Sequence, residues 1–505
     1  MLRSSRPRVR GAVVFALLAA LATLSAPLAS VAAAQSQPAP RLDNLHISPE
    51  SGPAGTSVTI AGAAQPNTSV DLQWLTLDGS YQTETTPETV AYKQRTFSEK
   101  RVPISSVATD DQGQFTTQFT IPEDYGELHD IRAVVDGQDI ARGGFEIRLA
   151  ATATPSSGPI GTPIHLRVTG LNPNLFSGST LAVRYDNAYT GLLTAATTGG
   201  TADATIRASG TLGDHAIFIG AGTVPAYLNI HQSPYDFLYS DLPDGEGFKF
   251  TFTTTADNGA PPDTLEWPAA DAVRSLGPDE PRTTFQPLTS AVGSASLEPA
   301  SGPIETSTHL TATGLQPDAD VALVWMTARG NRVSDSGWDV VSGSIGTGHT
   351  DAQGSLATDV NVPDDLGGWH ELQLVQNRAV MNQTPFFVER SLVSVEPAQP
   401  RAGDTVTIHA KGLGWTELDN GFAVTYDNAF VGYACGFNSN GDVAMPLVAT
   451  GGPGTHLIDL YPMVYNGQDR KAWYWAPVLT FAHDFPGLGL GYRLPAYRLA
   501  ITIPS

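Results

Sequence analysis

The 505-residue sequence has a single cysteine, Cys435, and lacks the motifs of several enzyme classes. Without a second cysteine no intramolecular disulfide can form, so each domain depends on its hydrophobic core for stability. The sequence has no G-x-S-x-G nucleophile elbow, no Gly-Lys-Ser/Thr phosphate loop and no Rossmann fingerprint. After its N-terminal region it also lacks a sustained helical period. These absences favour an all-β protein that is not an enzyme and needs no cofactor.

Basic residues are scarce, with 28 Lys and Arg against 50 Asp and Glu. Four of the arginines precede an apolar run from Ala12 to Leu24, which is followed by the small residues Ala32 to Ala34. This pattern predicts a cleavable signal peptide over residues 1–34, because the apolar run is too short to span a bilayer stably. No later segment has the roughly 20 apolar residues that a membrane span needs. We therefore expect an exported protein, secreted or at the cell surface, without membrane insertion after cleavage.

Cleavage removes those four arginines and no acidic residue, which leaves 24 basic and 50 acidic residues. A surface with this excess of negative charge repels nucleic acid phosphates at long range. Nucleic acid is therefore not expected as a partner, whereas a protein or a polysaccharide at the cell surface is. The sequence contains no signal for the oligomeric state.

Four segments of the chain begin alike, which indicates internal repetition. They read ISPESGPAGTSVTIAG, ATPSSGPIGTPIHLRVTG, LEPASGPIETSTHLTATG and VEPAQPRAGDTVTIHAKG, and their first prolines are Pro49, Pro155, Pro299 and Pro397. Each opening predicts a short edge strand that ends at proline, a Gly/Pro turn, and then an alternating strand rich in β-branched residues. The four prolines therefore mark the starts of four domains.

The first domain resembles the third, and the second resembles the fourth, so the chain is predicted to be a duplicated two-domain unit. The predicted domains cover residues 42–148, 149–256, 294–389 and 390–505. Residues 257–293 are rich in proline and have little periodicity, which is typical of a linker. Such a linker spans from roughly 35 Å as a coil to about 110 Å when extended. The two halves are therefore expected to be free to move relative to each other.

The opening segments, of which SPESGPAGTSVTIAG is the first, resemble bacterial immunoglobulin-like domains of the IPT/TIG and related early-set type. The resemblance covers nearly all of residues 42–256 and 294–505. It implies tandem β-sandwich domains of the kind found in secreted and cell-surface proteins. Its motifs are turns and strand patterns, so it implies a fold and leaves the function open.

A histidine shortly after a glycine occurs in all four domains, as in IPEDYGELHDI and VPDDLGGWHEL, which begin 241 residues apart. The four histidines share the phase of apolar residues on the following strand, and they are His129, His215, His370 and His456. A copied histidine on the inward face predicts a buried imidazole bonded to backbone at a corner between strands, like the tyrosine corner of immunoglobulin domains. We favour this structural role over a metal site, because His and the next acid point to opposite faces of a strand.

Other polar residues are candidates for metal binding or catalysis, and each is compared with a simpler structural role. The pairs Asp110-Asp111 and Glu123-Asp124 can bind calcium weakly, but solvated turn carboxylates are favoured, since calcium needs six or more converging oxygens. Cys435 near His456 can in principle form a thiol nucleophile, but a lone cysteine is more often a small buried residue. The Asp-Asn pairs of YDNAY and YDNAF are interpreted as hairpin turns. A hydrolase that uses His456 and Asp459 is a distant alternative.

Two divergent regions are the candidate binding sites. Trp473, Tyr474 and Trp475 lie in an aromatic-rich segment and form either a platform for sugar rings or part of a buried core or interface, with the buried role favoured. The other region is a loop expected from Leu77 to Ser106, ten residues longer than its counterpart, with the basic cluster Lys93, Arg95, Lys100 and Arg101. This cluster either binds an anionic polysaccharide or an acidic neighbour, or is simply solvated.

From these features we expect a non-catalytic exported protein that acts as a scaffold or adhesion spacer at the cell surface or in the extracellular matrix. No metal and no cofactor are expected. The alternative is a carbohydrate-binding protein that uses the aromatic platform of the fourth domain.

Overall fold

The computed structural model describes the following residues: 43–85, 90–173, 179–195, 198–220, 247–268, 288, 290–331, 337–414, 421–436, 439–463, 476–484 and 494–505. Side chains are described for all of these except 79–85, 90–96, 330, 331, 337 and 338. Every regular element in these ranges is a β-strand. No helix in them has the length and apolarity needed to cross a membrane. The predicted signal peptide lies outside the described residues.

The first domain is a sandwich of two sheets, one antiparallel and one mixed. Its strands are β1 (Asp43–Asn44), β2 (His46–Ser48), β3 (Ser51–Gly52), β4 (Ser57–Ala63), β5 (Ser69–Thr85), β6 (Val90–Ala108), β7 (Gln114–Thr120), β8 (Glu127–Val135) and β9 (Gln138–Ile147). One sheet has the order β1-β9-β8-β5-β6, with β3 also beside β9, and the other has the order β2-β4-β7. The first of these is the mixed sheet, in which β1 and β3 run parallel to β9. The predicted alternation is confirmed, because Val70, Leu72 and Trp74 of β5 are all buried between the sheets.

The second domain repeats this arrangement. Its strands are β10 (Ala150–Thr154), β11 (Ser157–Gly158), β12 (Pro163–Thr169), β13 (Thr180–Tyr185), β14 (Ala188–Thr194), β15 (Ala202–Arg207), β16 (Gly213–Gly220) and β17 (Gly247–Thr254). They form the sheets β10-β12-β15 and β11-β17-β16-β13-β14. The predicted hairpin turn between β13 and β14 is confirmed, because Asp186 and Asn187 both have positive φ, of 49° and 67°.

A short strand, β18 (Thr264–Glu266), follows the second domain. The third domain comprises β19 (Ala295–Glu298), β20 (Ser301–Pro303), β21 (Ser307–Ala312), β22 (Asp320–Asn331), β23 (Gly337–His349), β24 (Leu356–Asn361), β25 (Gly368–Gln376) and β26 (Ala379–Glu389). Its sheets are β19-β21-β24 and β20-β26-β25-β22-β23, the same order as in the second domain.

The fourth domain comprises β27 (Ser391–Glu396), β28 (Thr405–Lys411), β29 (Gly421–Tyr426), β30 (Ala429–Cys435), β31 (Val443–Val448), β32 (Gly454–Tyr461) and β33 (Ala496–Ile503). Its sheets are β27-β28-β31 and β18-β33-β32-β29-β30. The all-β class and the immunoglobulin-like sandwich fold predicted from the sequence are thus confirmed. The expected loop from Leu77 to Ser106 is wrong in part, because β5 and β6 run through most of it as a long hairpin.

The fourth domain closes its large sheet in a different way from the other three. In those, the Ser-Gly-Pro stretch of the opening forms a short strand parallel to the last strand, as β3 does beside β9. At the position of the glycine in this Ser-Gly-Pro stretch, the fourth domain has Pro400, which has no N–H to donate to a neighbouring strand. The edge of β33 is covered instead by β18, which pairs antiparallel to it.

The two halves are not independent, contrary to the expectation from the linker. The predicted linker contributes β18 to the sheet of the fourth domain, so it is not wholly irregular. The hydrophobic core of the second domain also contains residues from the fourth domain, among them Tyr461, Val478 and Phe481. Val478 pairs with Leu192 as a parallel bridge at the edge of β14. Contacts of this kind hold the second and fourth domains together.

Candidate functional site at the corners and joints

The histidines of the first and third domains lie flat against a buried tryptophan. The ring of His129 stacks on Trp74 with 4.6 Å between ring centroids, and that of His370 stacks on Trp325 at 5.0 Å. The Nδ1 and Nε2 atoms of His129 lie 3.0 Å and 2.7 Å from the carbonyl oxygens of Leu75 and Tyr125. Those of His370 lie 3.0 Å and 2.8 Å from equivalent carbonyls. Both ring nitrogens are therefore occupied by backbone.

An aspartate completes each of these corners. The carboxylate of Asp124 accepts hydrogen bonds from Trp74 Nε1 at 2.7 Å and Thr76 Oγ1 at 2.7 Å. In the third domain Asp365 accepts the same two bonds, from Trp325 and Thr327. Asp124 is only 9% exposed, so the interpretation of the pair Glu123-Asp124 as solvated carboxylates is wrong for Asp124. Its charge is offset by the hydrogen bonds that it accepts from Trp74 and Thr76.

The second and fourth domains use tyrosine in place of tryptophan. His215 stacks on Tyr185, whose hydroxyl donates to Ser209 O at 3.0 Å. His215 Nδ1 lies 2.5 Å from Asp186, the aspartate of the hairpin turn, and Nε2 lies 2.7 Å from a backbone carbonyl. Burial is the main reason that the pKa of Tyr185 is raised to about 12, so this hydroxyl stays a donor at neutral pH.

The corner of the fourth domain has the same design. His456 stacks on Tyr426, and its two ring nitrogens lie 2.6 Å from Asp427 and 2.9 Å from Gly452 O. The hydrogen bond to Asp427 raises the pKa of His456. The prediction that the four copied histidines are bonded at corners is confirmed. They lie on the inward side, although His456 is only half-buried while the other three are buried.

His456 and Asp459, which the hydrolase alternative uses together, have different bonding partners in the structure. The Asp459 carboxylate accepts from Arg207 at 2.5 Å and also lies 3.4 Å from Arg498, so its partners differ from those of His456. Cys435 is in no disulfide and is half-buried, not the fully buried residue that was expected. Within the described residues no group of three or more His, Cys, Asp or Glu side chains is placed to hold a metal ion. Asp110 caps a turn by accepting from the N–H groups of Gln112 and Gln114.

The copied segment that begins IPED or VPDD also contacts the domain that follows it. It joins the first domain to the second and the third domain to the fourth. Arg167 of the second domain forms ion pairs with Glu123 across the joint and with Asp203, each at 2.6 Å. The hydrogen bond to Glu123 is the main reason that the pKa of Arg167 is raised. In the second half Lys411 of the fourth domain forms the corresponding ion pairs, with Asp364 across the joint and with Asp442.

A glycine lets the two backbones approach each other at both joints. Gly126 N donates to Leu171 O at 3.0 Å, and Gly367 N donates to Leu413 O at 2.9 Å. A Cβ atom on Gly126 would lie 2.1 Å from the carbonyl oxygen of Gly170, and on Gly367 the corresponding distance is 1.8 Å. Any other residue would therefore force the domains apart. The stretch that begins IPED therefore carries one acid for the joint, one for the corner, and a glycine for the close contact.

A wide cleft of about 690 Å³ lies at the first joint. It is bounded by the β5–β6 hairpin, the second domain and one residue of the fourth domain, and its lining includes Lys100, Glu123, Arg167, Asp203 and His483. Lys100 pairs opposite Thr76 on the hairpin. The equivalent position in the third domain, opposite Thr327, is Val341. The first cleft therefore has a lysine where the second half has an apolar residue.

The predicted basic cluster is not one surface. Lys100 and Arg101 are neighbours on a strand and point to opposite faces. Lys100 lines the cleft, whereas Arg101 forms an ion pair with Asp139 at 2.7 Å on the other face. Lys93 and Arg95 lie on β6, but their side chains are outside the described part of the chain. Trp473, Tyr474 and Trp475 also lie outside it, so their role as platform or core stays a prediction.

The polar residues of the contact between the second and fourth domains were not identified from the sequence. Arg207 lies between Asp459 and the carbonyl oxygen of Leu499, at 2.5 Å and 2.7 Å. Arg498 binds Glu266 of β18 at 2.6 Å and donates to the hydroxyl of Tyr461 at 2.6 Å. The nearby phenol and carboxylates raise the pKa of Arg498 despite its burial. The sequence signal was the arginine at position 207, where the fourth domain has valine.

No protein-family model matches the chain, and no curated protein matches its sequence. Among solved structures, the chain is similar to a Salmonella alpha-2-macroglobulin at 9% identity, over 92% of this chain and 31% of that one, with a TM-score of 0.17. It is similar to invasin, a bacterial integrin-binding protein, at 12% identity, over 86% of this chain and 79% of that one, with a TM-score of 0.19. The Escherichia coli adhesin FdeC is 13% identical, over 68% of this chain and 96% of that one, with a TM-score of 0.15.

Proposed function

We propose that this chain is an exported, non-catalytic protein that acts at the cell surface or in the extracellular matrix as a scaffold and adhesion spacer, built from immunoglobulin-like domains of the IPT/TIG and early-set type. The observation that carries the proposal is the use of the copied polar residues. The ring nitrogens of all four histidines are bonded to backbone or to a neighbouring aspartate. Residues with these partners stabilise the sandwiches, because their polar atoms are already engaged in hydrogen bonds.

A spacer has to hold its binding faces at set positions, and the interdomain contacts provide this. The joints within each half are held by the pairs Glu123–Arg167 and Asp364–Lys411. The halves are joined by the shared core and by the buried pair Arg207–Asp459. A rigid set of domains loses little conformational entropy when it binds a partner.

The cleft at the first joint is the binding face that the geometry favours. It is one of the places where the halves differ, and differences between copies are where specificity is expected. Lys100 is exposed at its rim, in a protein with a large excess of acidic residues. A cation in such a setting attracts an acidic group of a surface partner at short range.

The test is retention of the mature chain on cell-wall polysaccharides and on surface proteins. We expect one of these to retain the protein, and Lys100→Glu to weaken retention by about tenfold, the effect of losing about 1.4 kcal/mol of binding free energy. The matched control is Arg142→Glu, which makes the same charge change at an exposed position of β9 outside the cleft lining. Retention that is the same for both variants would contradict a role for the cleft. Turnover of a retained polymer would contradict the non-catalytic proposal.

A further inference from the structure

The contact between the second and fourth domains joins two surfaces of different kinds. The receiver surface lies at the end of β15 in the second domain and consists of Thr205, Arg207 and Ser209. The docking surface lies on the fourth domain and consists of Asn428, Asp459 and Arg498. Every hydrogen bond described below runs from one surface to the other.

Three sets of polar contacts hold the two surfaces together. Asn428 Nδ2 donates to Arg207 O and to Ser209 Oγ, both at 2.7 Å. Arg207 donates to Asp459 at 2.5 Å, and Arg498 donates to Thr205 O at 3.2 Å. All of these side chains except that of Thr205 are nearly fully buried. The contact is therefore well packed and specific.

Because the chain is duplicated, each domain of this pair also carries the equivalent of the other's surface. The fourth domain has Pro446, Val448 and Thr450 where the receiver surface has Thr205, Arg207 and Ser209, at a constant spacing of 241 residues. The second domain has Asn187 and Phe218 at the same spacing from Asn428 and Asp459. Lys249 corresponds to Arg498, since it pairs opposite Phe218 as Arg498 pairs opposite Asp459.

These equivalent surfaces are exposed where the originals are buried. Arg207 is 7% exposed and Val448 is 54% exposed. Asn428 is 3% exposed, whereas Asn187 and Thr450 are exposed and Phe218 is half-buried. The polar contacts inside the chain are thus heterologous, with different residues on each side, although one pair of equivalent residues, Tyr189 and Phe430, also packs together with 6.2 Å between ring centroids. A heterologous contact leaves one free copy of each surface, and further contacts can repeat it.

The two exposed surfaces carry groups that complement each other, a hydrogen-bond donor and acceptor and two apolar side chains. Asn187 retains the amide that donates, and Thr450 retains a hydroxyl that can accept from it. The buried ion pair Arg207–Asp459 is replaced at both positions together, by Val448 and Phe218, whose side chains are both apolar. A change on one side alone would leave a charge facing an apolar group, which is unfavourable.

We propose that a second copy of this chain docks here, with the surface of Asn187, Phe218 and Lys249 on one copy bound to the surface of Pro446, Val448 and Thr450 on the next. Asn187 Nδ2 donates to Val448 O and to Thr450 Oγ1, Phe218 packs on Val448, and Lys249 donates to Pro446 O. Each copy then has one surface of each kind, so the assembly is head-to-tail. This assembly goes beyond the proposed role as a spacer and does not depend on which partner the cleft binds.

The test is the mass of the mature chain in solution, measured by sedimentation velocity from about 1 to 100 µM, the range of a contact with a Kd near 10 µM. We expect the mean mass to rise with concentration. Val448→Arg places a cation against the cations of the facing surface, Lys249 and Arg184, whose guanidinium lies 4.9 Å from the Phe218 ring. We expect this variant to weaken association by at least about tenfold.

Two further variants separate the loss of the proposed contact from a general effect of the added charge or of the substitution on folding. Val448→Arg combined with Phe218→Asp recreates the ion pair of the internal contact, and we expect it to restore association. Val393→Arg adds the same charge at another exposed valine of the fourth domain, 56% exposed, and we expect no effect on mass. A wild-type chain that is monomeric at every concentration would overturn the proposal. So would loss of association in the Val393 variant, or failure of the double variant to recover while its unfolding curve matches the wild type.

Discussion

The first and second halves of the chain differ in a systematic way when they are compared position by position. The corner contacts are the same in both halves, with Asp124 and Asp365 each bonded to an equivalent tryptophan and threonine. The contact between the halves involves residues that differ, since Arg207 has Val448 as its equivalent. The retained residues therefore stabilise each half by itself, and the residues that diverged bind the halves to each other.

The largest expected effect tests the divergent contact. Arg207→Ala leaves Asp459 buried with one cation fewer, and we expect it to reduce the free energy of unfolding by about 3 kcal/mol, as for other buried pairs that lose one partner. Val448→Ala, at the equivalent exposed position, is expected to change it by less than about 0.5 kcal/mol. Denaturant unfolding followed by tryptophan fluorescence measures both. Equal losses at the two positions would contradict the comparison.

The next effect tests the retained corners. Asp124→Asn replaces one of the two accepting oxygens by an amide N–H₂, so that either Trp74 Nε1 or Thr76 Oγ1 loses its acceptor, and we expect a loss of about 2 kcal/mol in the free energy of unfolding. Because the corner is repeated, Asp365→Asn is expected to cost about the same, within about 0.5 kcal/mol. The matched control is Asp111→Asn, an exposed turn residue whose change is expected to be near zero. A loss in only one of the two halves would show that the corners are not equivalent.

The smallest effect concerns pH at the corner of the fourth domain. The pKa of His456 is raised above its ordinary value of 6.5, mainly by the hydrogen bond to Asp427. Its stabilising contribution is therefore complete below about pH 6.5 and is lost as the pH rises through the higher pKa of the folded state. Since the pair is partly exposed, we expect the contribution to be less than about 1 kcal/mol. The comparison is the free energy of unfolding of the wild type and His456→Gln from about pH 5 to 9. A difference that grows with pH would refute the expectation.

Much of the fold followed from local patterns. The alternation of Val70, Leu72 and Trp74 predicted a half-buried strand, and the Asp-Asn pairs predicted the hairpin turns. The phase of the histidines predicted their inward position. These features depend on residues close in sequence, so a single strand or turn is enough to recognise them.

The candidate site was only partly predictable. Lys100 was identified as part of a basic cluster, but the sequence did not show that it and Arg101 lie on opposite faces of β6, because that region was taken for a loop. Asp124 was taken for a solvated turn residue, since its partner Trp74 is 50 residues away in the chain. Arg167 and His483 were not identified, because each reaches the cleft from another domain.

The sequence by itself determined the duplication, the sandwich fold and the corner histidines, because each of these depends on short-range spacing. Only the tertiary structure decided how the halves are joined. The pairs Arg207–Asp459 and Glu266–Arg498 connect residues more than 200 positions apart, and β18 covers an edge that is open because Pro400 cannot complete a ladder. A pattern within one segment does not show which distant segment will cover it, because the burial of a surface depends on the shape and chemistry of both segments in contact.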